Sequence, residues 1–194
     1  TGGAKYTITG ISQLLSVPYA FYAGSVAAGG GLTHYIGELF GGGIVVAVWK
    51  ISGVEHGLIT SLTNISAHTV WSNIETTEIG LTARSLRDGQ ANTSAIISQA
   101  GHKSSAASSC VAYSVGGYND WYLPSIWELN QCYNAARIIN EVLGDDINGF
   151  NSNAYWSSTE YSYEFAMALS FQNGMVDNYY KNYSVLLARA VRRF

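Results

Sequence analysis

The apolar positions of this chain fall into short runs with two different periods. Gly41-Gly-Gly-Ile-Val-Val-Ala-Val-Trp49 is a β-rich run bounded by glycines, and Gly57-Leu-Ile-Thr-Ser-Leu62 is a second. Ser52-Gly53 supplies a turn between them, which predicts a hairpin. Residues 165–171 alternate with period two, setting Phe165, Met167, Leu169 and Phe171 on one face and Ala166, Ala168 and Ser170 on the other. Residues 155–159 read as a strand before this one. Asn173-Gly174 is a hairpin-turn signal after it, and residues 187–193 make a closing strand.

The middle of the chain changes period. Residues 67–91 show little periodicity and read as loop, with Trp71 as a core plug. Asn92-Thr93 is expected to cap a short helix carrying Ile96 and Ile97. Ser104 or Ser105 caps a second, with Ala107, Cys110, Val111 and Ser114 on one face and Gly116-Gly117 as its stop. The clearest local signal is Pro124-Ser125-Ile-Trp-Glu128, a capping box in which Ser125 and Glu128 satisfy each other's amides. The helix it starts runs to about Leu143 and closes at Gly144, with Leu129, Cys132, Tyr133, Ala136, Ile139 and Leu143 as its apolar stripe. Trp121 and Trp127 flank the box and are expected to bury against the sheet. Helices in the middle and antiparallel strands at both ends predict an α+β domain whose ends meet in one sheet.

Composition narrows the function classes. Charged residues are 12 % of the 194, about half the usual share of roughly 25 %, and hydrophobic residues are 47 %. This is a globular chain, long enough for one well-buried domain with an appendage. Net charge is −3, and outside Arg189, Arg192 and Arg193 the basic residues are scattered, so no nucleic-acid partner is expected. Cys110 and Cys132 lack metal-type spacing and read as buried small hydrophobes, with a single bridge between two helices as the alternative.

The chain opens at Thr1 and reads as a fragment or processed form. Residues 6–37 carry no charge, but Thr7, Thr9, Gly10, Ser12, Gln13, Ser16 and Pro18 interrupt the run, so no membrane insertion is expected. Ala27-Ala-Gly-Gly-Gly31 reads as a linker, placing a boundary between residues 1–31 and a main domain over 32–194. Ser16-Val-Pro-Tyr-Ala-Phe-Tyr-Ala23 resembles the end of stalk modules of bacterial surface proteins and phage tail fibres. That resemblance implies a larger fibrous protein and a homotrimer through the stalk.

Catalytic chemistry is not supported by the pattern. His34, His56, His68 and His102 share no helix-spaced pair and no carboxylate partner by sequence, so neither an enzyme nor a cofactor is expected. Asp145-Asp-Ile-Asn148 is a weak calcium candidate and reads better as a solvated loop, so no metal is assigned. Gly41-Gly-Gly43 precedes a strand, whereas a phosphate-cradling loop follows one.

The most unusual passage lies near the C-terminal end of the chain. Five of the 14 tyrosines fall between 161 and 183, as Tyr161, Tyr163, Tyr179, Tyr180 and Tyr183, interleaved with Ser162, Asp177, Asn178, Asn182 and Ser184. That is the composition of a paratope: stiff aromatic area at small entropic cost, with Ser and Asn as adaptable hydrogen-bonding groups. The passage reads as a ligand-binding face held by everything upstream.

With Gly116-Gly-Tyr-Asn-Asp-Trp-Tyr-Leu-Pro-Ser-Ile-Trp-Glu-Leu-Asn130, Tyr155-Trp-Ser-Ser-Thr-Glu160 and Arg189-Ala-Val-Arg192, the chain resembles a family of C-type-lectin-fold domains. These are shared by the C-terminal part of collagen-like bacterial adhesins and the variable proteins of diversity-generating retroelements; by fold, the phage major tropism determinant belongs with the latter. The resemblance covers roughly residues 33–194 and implies antiparallel sheets with two or three helices. Its retroelement branch implies a variable region over about 155–194, in which asparagine codons changed at adenines yield Asn, Tyr, Ser, Asp, Ala, Phe, Leu or Val. Tyr161, Ser162, Tyr163, Phe165, Ala168, Ser170, Asp177, Asn178, Tyr179, Tyr180, Asn182, Tyr183 and Ser184 all fit that set, while Trp156, Leu169, Gly174, Arg189 and Val191 would be fixed scaffold. Gln172 and Met175 cannot arise that way. The expected partner is a protein or glycan on a cell surface, and the setting extracellular, on a bacterial surface or a virion. Two alternatives stand beside it: an ordinary tyrosine-containing lectin-type surface, and a fixed adhesin binding a polyanionic glycan through Arg189, Arg192 and Arg193.

Overall fold

The computed structural model describes residues 31–66, 68–144 and 148–194. The expected stalk and most of the glycine linker lie outside the described residues, as do Asp145 and Asp146 of the calcium candidate.

From Leu32 to Phe194 the chain forms one compact unit. Its strands are β1 (Leu39–Phe40), β2 (Gly43–Ile51), β3 (Val54–Thr60), β4 (Ala154–Glu160), β5 (Phe165–Ser170), β6 (Val176–Tyr180) and β7 (Val191–Arg193). Between β3 and β4 come a 3-10 turn (Gly80–Ala83) and helices α1 (Gly89–Ile97), α2 (Ala106–Ala112) and α3 (Ile126–Leu143). One antiparallel sheet has the order β1-β2-β3-β7 and the other β4-β5-β6. The expected α+β class holds, and β7 returns to pair with β3, so the ends of the domain do meet in one sheet.

The β2–β3 hairpin turns at Ser52 and Gly53, with φ of 51° and 82°. Two positive φ values in a two-residue turn match the right-handed twist of the strands it joins. Along β2 the apolar run is continuous because both faces are covered. Val45 enters a core cluster with Ile59, Trp71, Trp121 and Trp156, while Ile44 and Val46 enter a second with Leu58, Leu129, Ile139 and Tyr155. Neighbours Leu58 and Ile59, Tyr155 and Trp156, and Ala168 and Leu169 divide in the same way. Strands β2, β3, β4 and β5 are thus partitions between two cores.

The capping box at Ser125 and Glu128 is present, and Gly144 closes α3 with a φ of 80°. Its buried apolar positions are Leu129, Cys132, Ala135 and Ile139, and Tyr133, Ala136 and Leu143 of the expected stripe pack against the same core. Ser105 caps α2 through a second box with Ser108, and the helix stops at Ala112, short of the expected glycines. Val111 is exposed rather than part of the buried face. Helix α1 starts earlier than expected. Asp88 is its cap, and Asn92 and Thr93 are buried inside it, Thr93 donating to the Leu123 carbonyl. An Asn-Thr pair carries a cap signature, but here tertiary hydrogen bonds to the Leu123 backbone and the Ser158 hydroxyl claim both side chains. Trp71 and Trp121 are buried as expected, whereas Trp127 is only half-buried.

Candidate functional site: a tyrosine-rich surface on the second sheet

The β4–β5 connection, the β5–β6 hairpin and the loop after β6 carry the residues singled out by composition. Tyr161, Tyr163, Tyr180 and Tyr183 are 52, 52, 55 and 45 % exposed. Ser162 is half-buried, while Asp177, Asn182 and Ser184 are exposed. Asn173-Gly174 turns the hairpin as expected, with Gly174 at a φ of 75°, and β6 extends the sheet by one strand.

Strand alternation divides these residues. Register places Phe165 opposite Tyr180, and Ala168 opposite Asp177. Cross-strand partners share a side, so Phe165, Asn178 and Tyr180 lie on one face and Ala168, Ser170, Asp177 and Tyr179 on the other. The rings of Phe165 and Tyr180 sit 4.4 Å apart on the first. Both faces carry buried residues, Leu169 on the first and Ala166 and Ala168 on the second, where Asp177 nonetheless stays exposed. Ala168 is completely buried among Trp156 and its neighbours, and cannot touch a ligand. Tyr179 is half-buried, its ring 6.2 Å from Trp156 and stacked on Tyr183 at 5.7 Å. The expectation of one continuous face fails because strand residues next to each other cannot both point outward. The exposed part is built by the loops and by the outward half of β5 and β6.

What holds these loops was not visible in the sequence. Glu160, fully buried, ends β4 and accepts from the amides of Ile79 and Gly80 at 2.9 and 2.7 Å. Its Oε1 also takes a hydrogen bond from Lys181 Nζ at 2.7 Å, and Lys181 donates a second to the Thr77 carbonyl. Burial outweighs that pairing and pulls the Lys181 ammonium below its ordinary value. Asn182 reaches across to Glu75 at 3.0 Å. The loop over residues 75–82 therefore borders the tyrosine surface, adding the exposed Glu75 to it. Met175, Val176 and Val185 are exposed in the same segment. Val176 and Val185 flank the polar run that drew attention, and no periodicity marked them.

The arginine cluster expected to grip a polyanion does not exist as a surface. Arg189 is fully buried and donates to the carbonyls of Ser61, Leu62, Asn148 and Gly149 and to Asn64 Oδ1. Desolvation lowers its pKa to about 10. Arg192 is buried against both Asp120 carboxylate oxygens, at 2.7 and 3.0 Å. Arg193 bonds Glu128 and the Arg87 carbonyl. Alternation on β7 sends Arg192 and Arg193 to opposite sides, and the buried fork of Arg189 ties three loops together. Glu128 is a hub: besides its cap it accepts from Gly89 N, Tyr122 Oη and Arg193.

His34 does have a carboxylate partner, Glu38, at 2.9 Å, contrary to expectation, and His102 bonds Ser105 Oγ. Among the described residues no group of three or more His, Cys, Asp or Glu side chains could hold a metal ion. Cys110 and Cys132 are free and buried, without a bridge; burial raises both thiols, Cys132 to about 12. A cavity of about 540 Å³ lies apart from the tyrosines, lined by residues that include Trp49, Trp127, Arg87 and Arg193.

Two antiparallel sheets, three helices and loops displayed from one sheet define an α+β domain of the C-type-lectin-like kind. The chain belongs to the family of Lcl C-terminal domains, whose model matches residues 60–192. This is a family of collagen-like adhesin C-terminal domains, which points to adhesin-like binding and an extracellular or surface setting. No curated protein matches the chain. Among the described residues no helix is long and apolar enough to cross a membrane.

Proposed function

We propose that this domain is a non-enzymatic module that recognises a surface ligand through the exposed tyrosines of its β4–β6 loops, and that a retroelement diversifies these positions. One observation carries the reading: four large aromatic rings, Tyr161, Tyr163, Tyr180 and Tyr183, stand about half in water while Ala166, Ala168, Leu169 and Lys181 of the same segment are buried. Tyrosine in such a position supplies the contact area and hot spots of binding surfaces. The frame residues Trp156, Leu169, Arg189 and Val191 are all buried. Lys181 adds to this support. A lysine codon needs a third-position purine, which adenine-directed change of an asparagine codon does not supply, and Lys181 is the buried anchor in the middle of the segment.

Beads coated with the domain are the test, scored for adhesion to a panel of bacterial and host cell surfaces. Replacing Tyr161, Tyr163, Tyr180 and Tyr183 together by Ser abolishes adhesion and leaves the fold intact. Adhesion that survives this variant overturns the reading. Diversification has its own check: a near-copy of the codons for about residues 155–194 beside a reverse transcriptase gene, with differences confined to adenines.

A further inference from the structure

We propose that the partner of the tyrosine surface is a cationic protein epitope, a patch of exposed lysine and arginine side chains, rather than a polyanionic glycan. This rests on the preceding reading that the tyrosines form the recognition surface, and adds the sign of the charge they meet.

The charges that reach water in this segment are acidic. Between residues 161 and 185 the ionisable groups other than tyrosine are Glu164, Asp177 and Lys181. Asp177 is exposed on the side of β6 that carries Tyr179 and its stacked neighbour Tyr183, and Glu164, next to Tyr163, is half-buried. Lys181 is 0 % exposed, its ammonium held by Glu160 and by the Thr77 carbonyl. The segment's one cation is thus withheld from any ligand while both carboxylates are offered.

The bordering loop has the same sign. Glu75 stands exposed beside Asn182, and Glu78 is paired with Arg84, whose guanidinium also lies 3.9 Å from Glu160. Lys103 lies beyond Asn73, at the other end of that loop, where its amide donates to Asn73 Oδ1. The arginines that could have reversed this sign, Arg189 and Arg192, are inside the frame.

The rings act in the same direction. The face of an aromatic ring is electronegative and attracts guanidinium and ammonium groups. Glu164 lies against the Tyr163 hydroxyl, and its charge holds that hydroxyl protonated to higher pH than usual. A guanidinium laid over Tyr163 would meet ring and carboxylate together. A sulfated or uronate chain would instead approach unpaired carboxylates of its own sign. Spread over two loops and an edge strand, the rings suit the breadth of a protein surface better than a small cation.

The experiment titrates the domain with a hexa-arginine peptide, and separately with a heparin hexasaccharide, following backbone amide NMR signals. Hexa-arginine is expected to shift signals of residues 161–185, with binding that weakens several-fold from about 50 to about 200 mM salt as exposed charges are screened. The E164K/D177K double variant is expected to bind it about tenfold more weakly, a change of about 1.4 kcal/mol. Among the described residues neither carboxylate makes an ion pair. Should the double reversal nonetheless disturb the fold, E164Q/D177N replaces it, with a smaller loss expected. Hexa-arginine that leaves residues 161–185 unmoved, or binds the charge variants undiminished, overturns the proposal. So does heparin shifting those residues, a result that would keep the tyrosine surface as the recognition site and reverse only its partner. Failure of the underlying reading shows up elsewhere, in bead adhesion that persists without the four tyrosines.

Discussion

Lys181 Nζ lies 2.7 Å from Glu160 Oε1, and both side chains are fully buried. The pair connects the end of β4 to the loop after β6, and through the Ile79 and Gly80 amides to the bordering loop as well. Removing one partner of a buried pair leaves the other charged and unmatched, at a cost of about 3–5 kcal/mol. Lys181→Met is therefore expected to lower stability by that amount in denaturant unfolding. It should also broaden the NMR signals of residues 161–164 and 182–185 while β2 and β3 stay sharp. A loss below about 1 kcal/mol would show that the pair does not fasten the loops.

The tyrosines should separate cleanly by stability. Single Tyr→Ala changes at 161, 163, 180 and 183 remove exposed rings and are expected to shift unfolding by no more than about 0.5 kcal/mol each. Tyr155→Ala, which empties a site packed by Phe150 and Phe171, should cost about 3–5 kcal/mol. Thermal or urea melts of the five variants decide it.

Arg189 is expected to tolerate no replacement. Arg189→Lys keeps the charge but cannot reproduce a fork that reaches four carbonyls and Asn64, so several buried acceptors lose their donor. The expected loss is about 3 kcal/mol or more. Retention on a heparin column at equal folded fraction should not change, since the side chain does not reach solvent.

Acid should act partly through Asp120. Arg192 donates to both of its oxygens and holds the carboxyl below the usual carboxylate range. A folded-state pKa below the unfolded one gives stability that is present above about pH 4 and lost as pH falls through the folded value. Asp120→Asn is expected to lower Tm at neutral pH and to flatten its further fall below about pH 4. A parallel acid profile in the variant would remove this carboxylate from the account.

The two thiols should be inert. Burial raises Cys132 to about 12 and Cys110 in the same direction, leaving almost no thiolate near neutrality. A thiol-reactive dye at about pH 8 should label neither cysteine in the native protein and both in denaturant.

Much of this architecture could be read from local chemistry. The Ser125–Glu128 box, the Ser52-Gly53 turn and the alternation of 165–171 are each decided within a few neighbours, and sequence carries such signals directly. The start of the helix over 89–97 is not legible locally, because Asn92 and Thr93 look like caps and are instead engaged by residues at 85, 123 and 158. Tyrosine density marked the displayed segment, but only the folded arrangement shows that Ala168 is sealed and Lys181 inside. Arg189, Arg192 and Arg193 crowd together in sequence and diverge in space. Long-range partners decided every one of these cases, and no spacing rule reports them.

Strand β3 takes its second neighbour from far along the chain: Leu58 pairs with Arg193, and the Thr60 hydroxyl reaches the Ala190 carbonyl across 130 positions. The intervening segment is consequently a closed circuit whose two ends are stitched to a common sheet. Closing so long a circuit slows folding, since its entropy must be met before the contacts that reward it form. Its cost grows only with the logarithm of length, about 0.6 kcal/mol for a doubling. Insertions of a few residues in the displayed loops should accordingly delay the reaction little and leave the clasp shut.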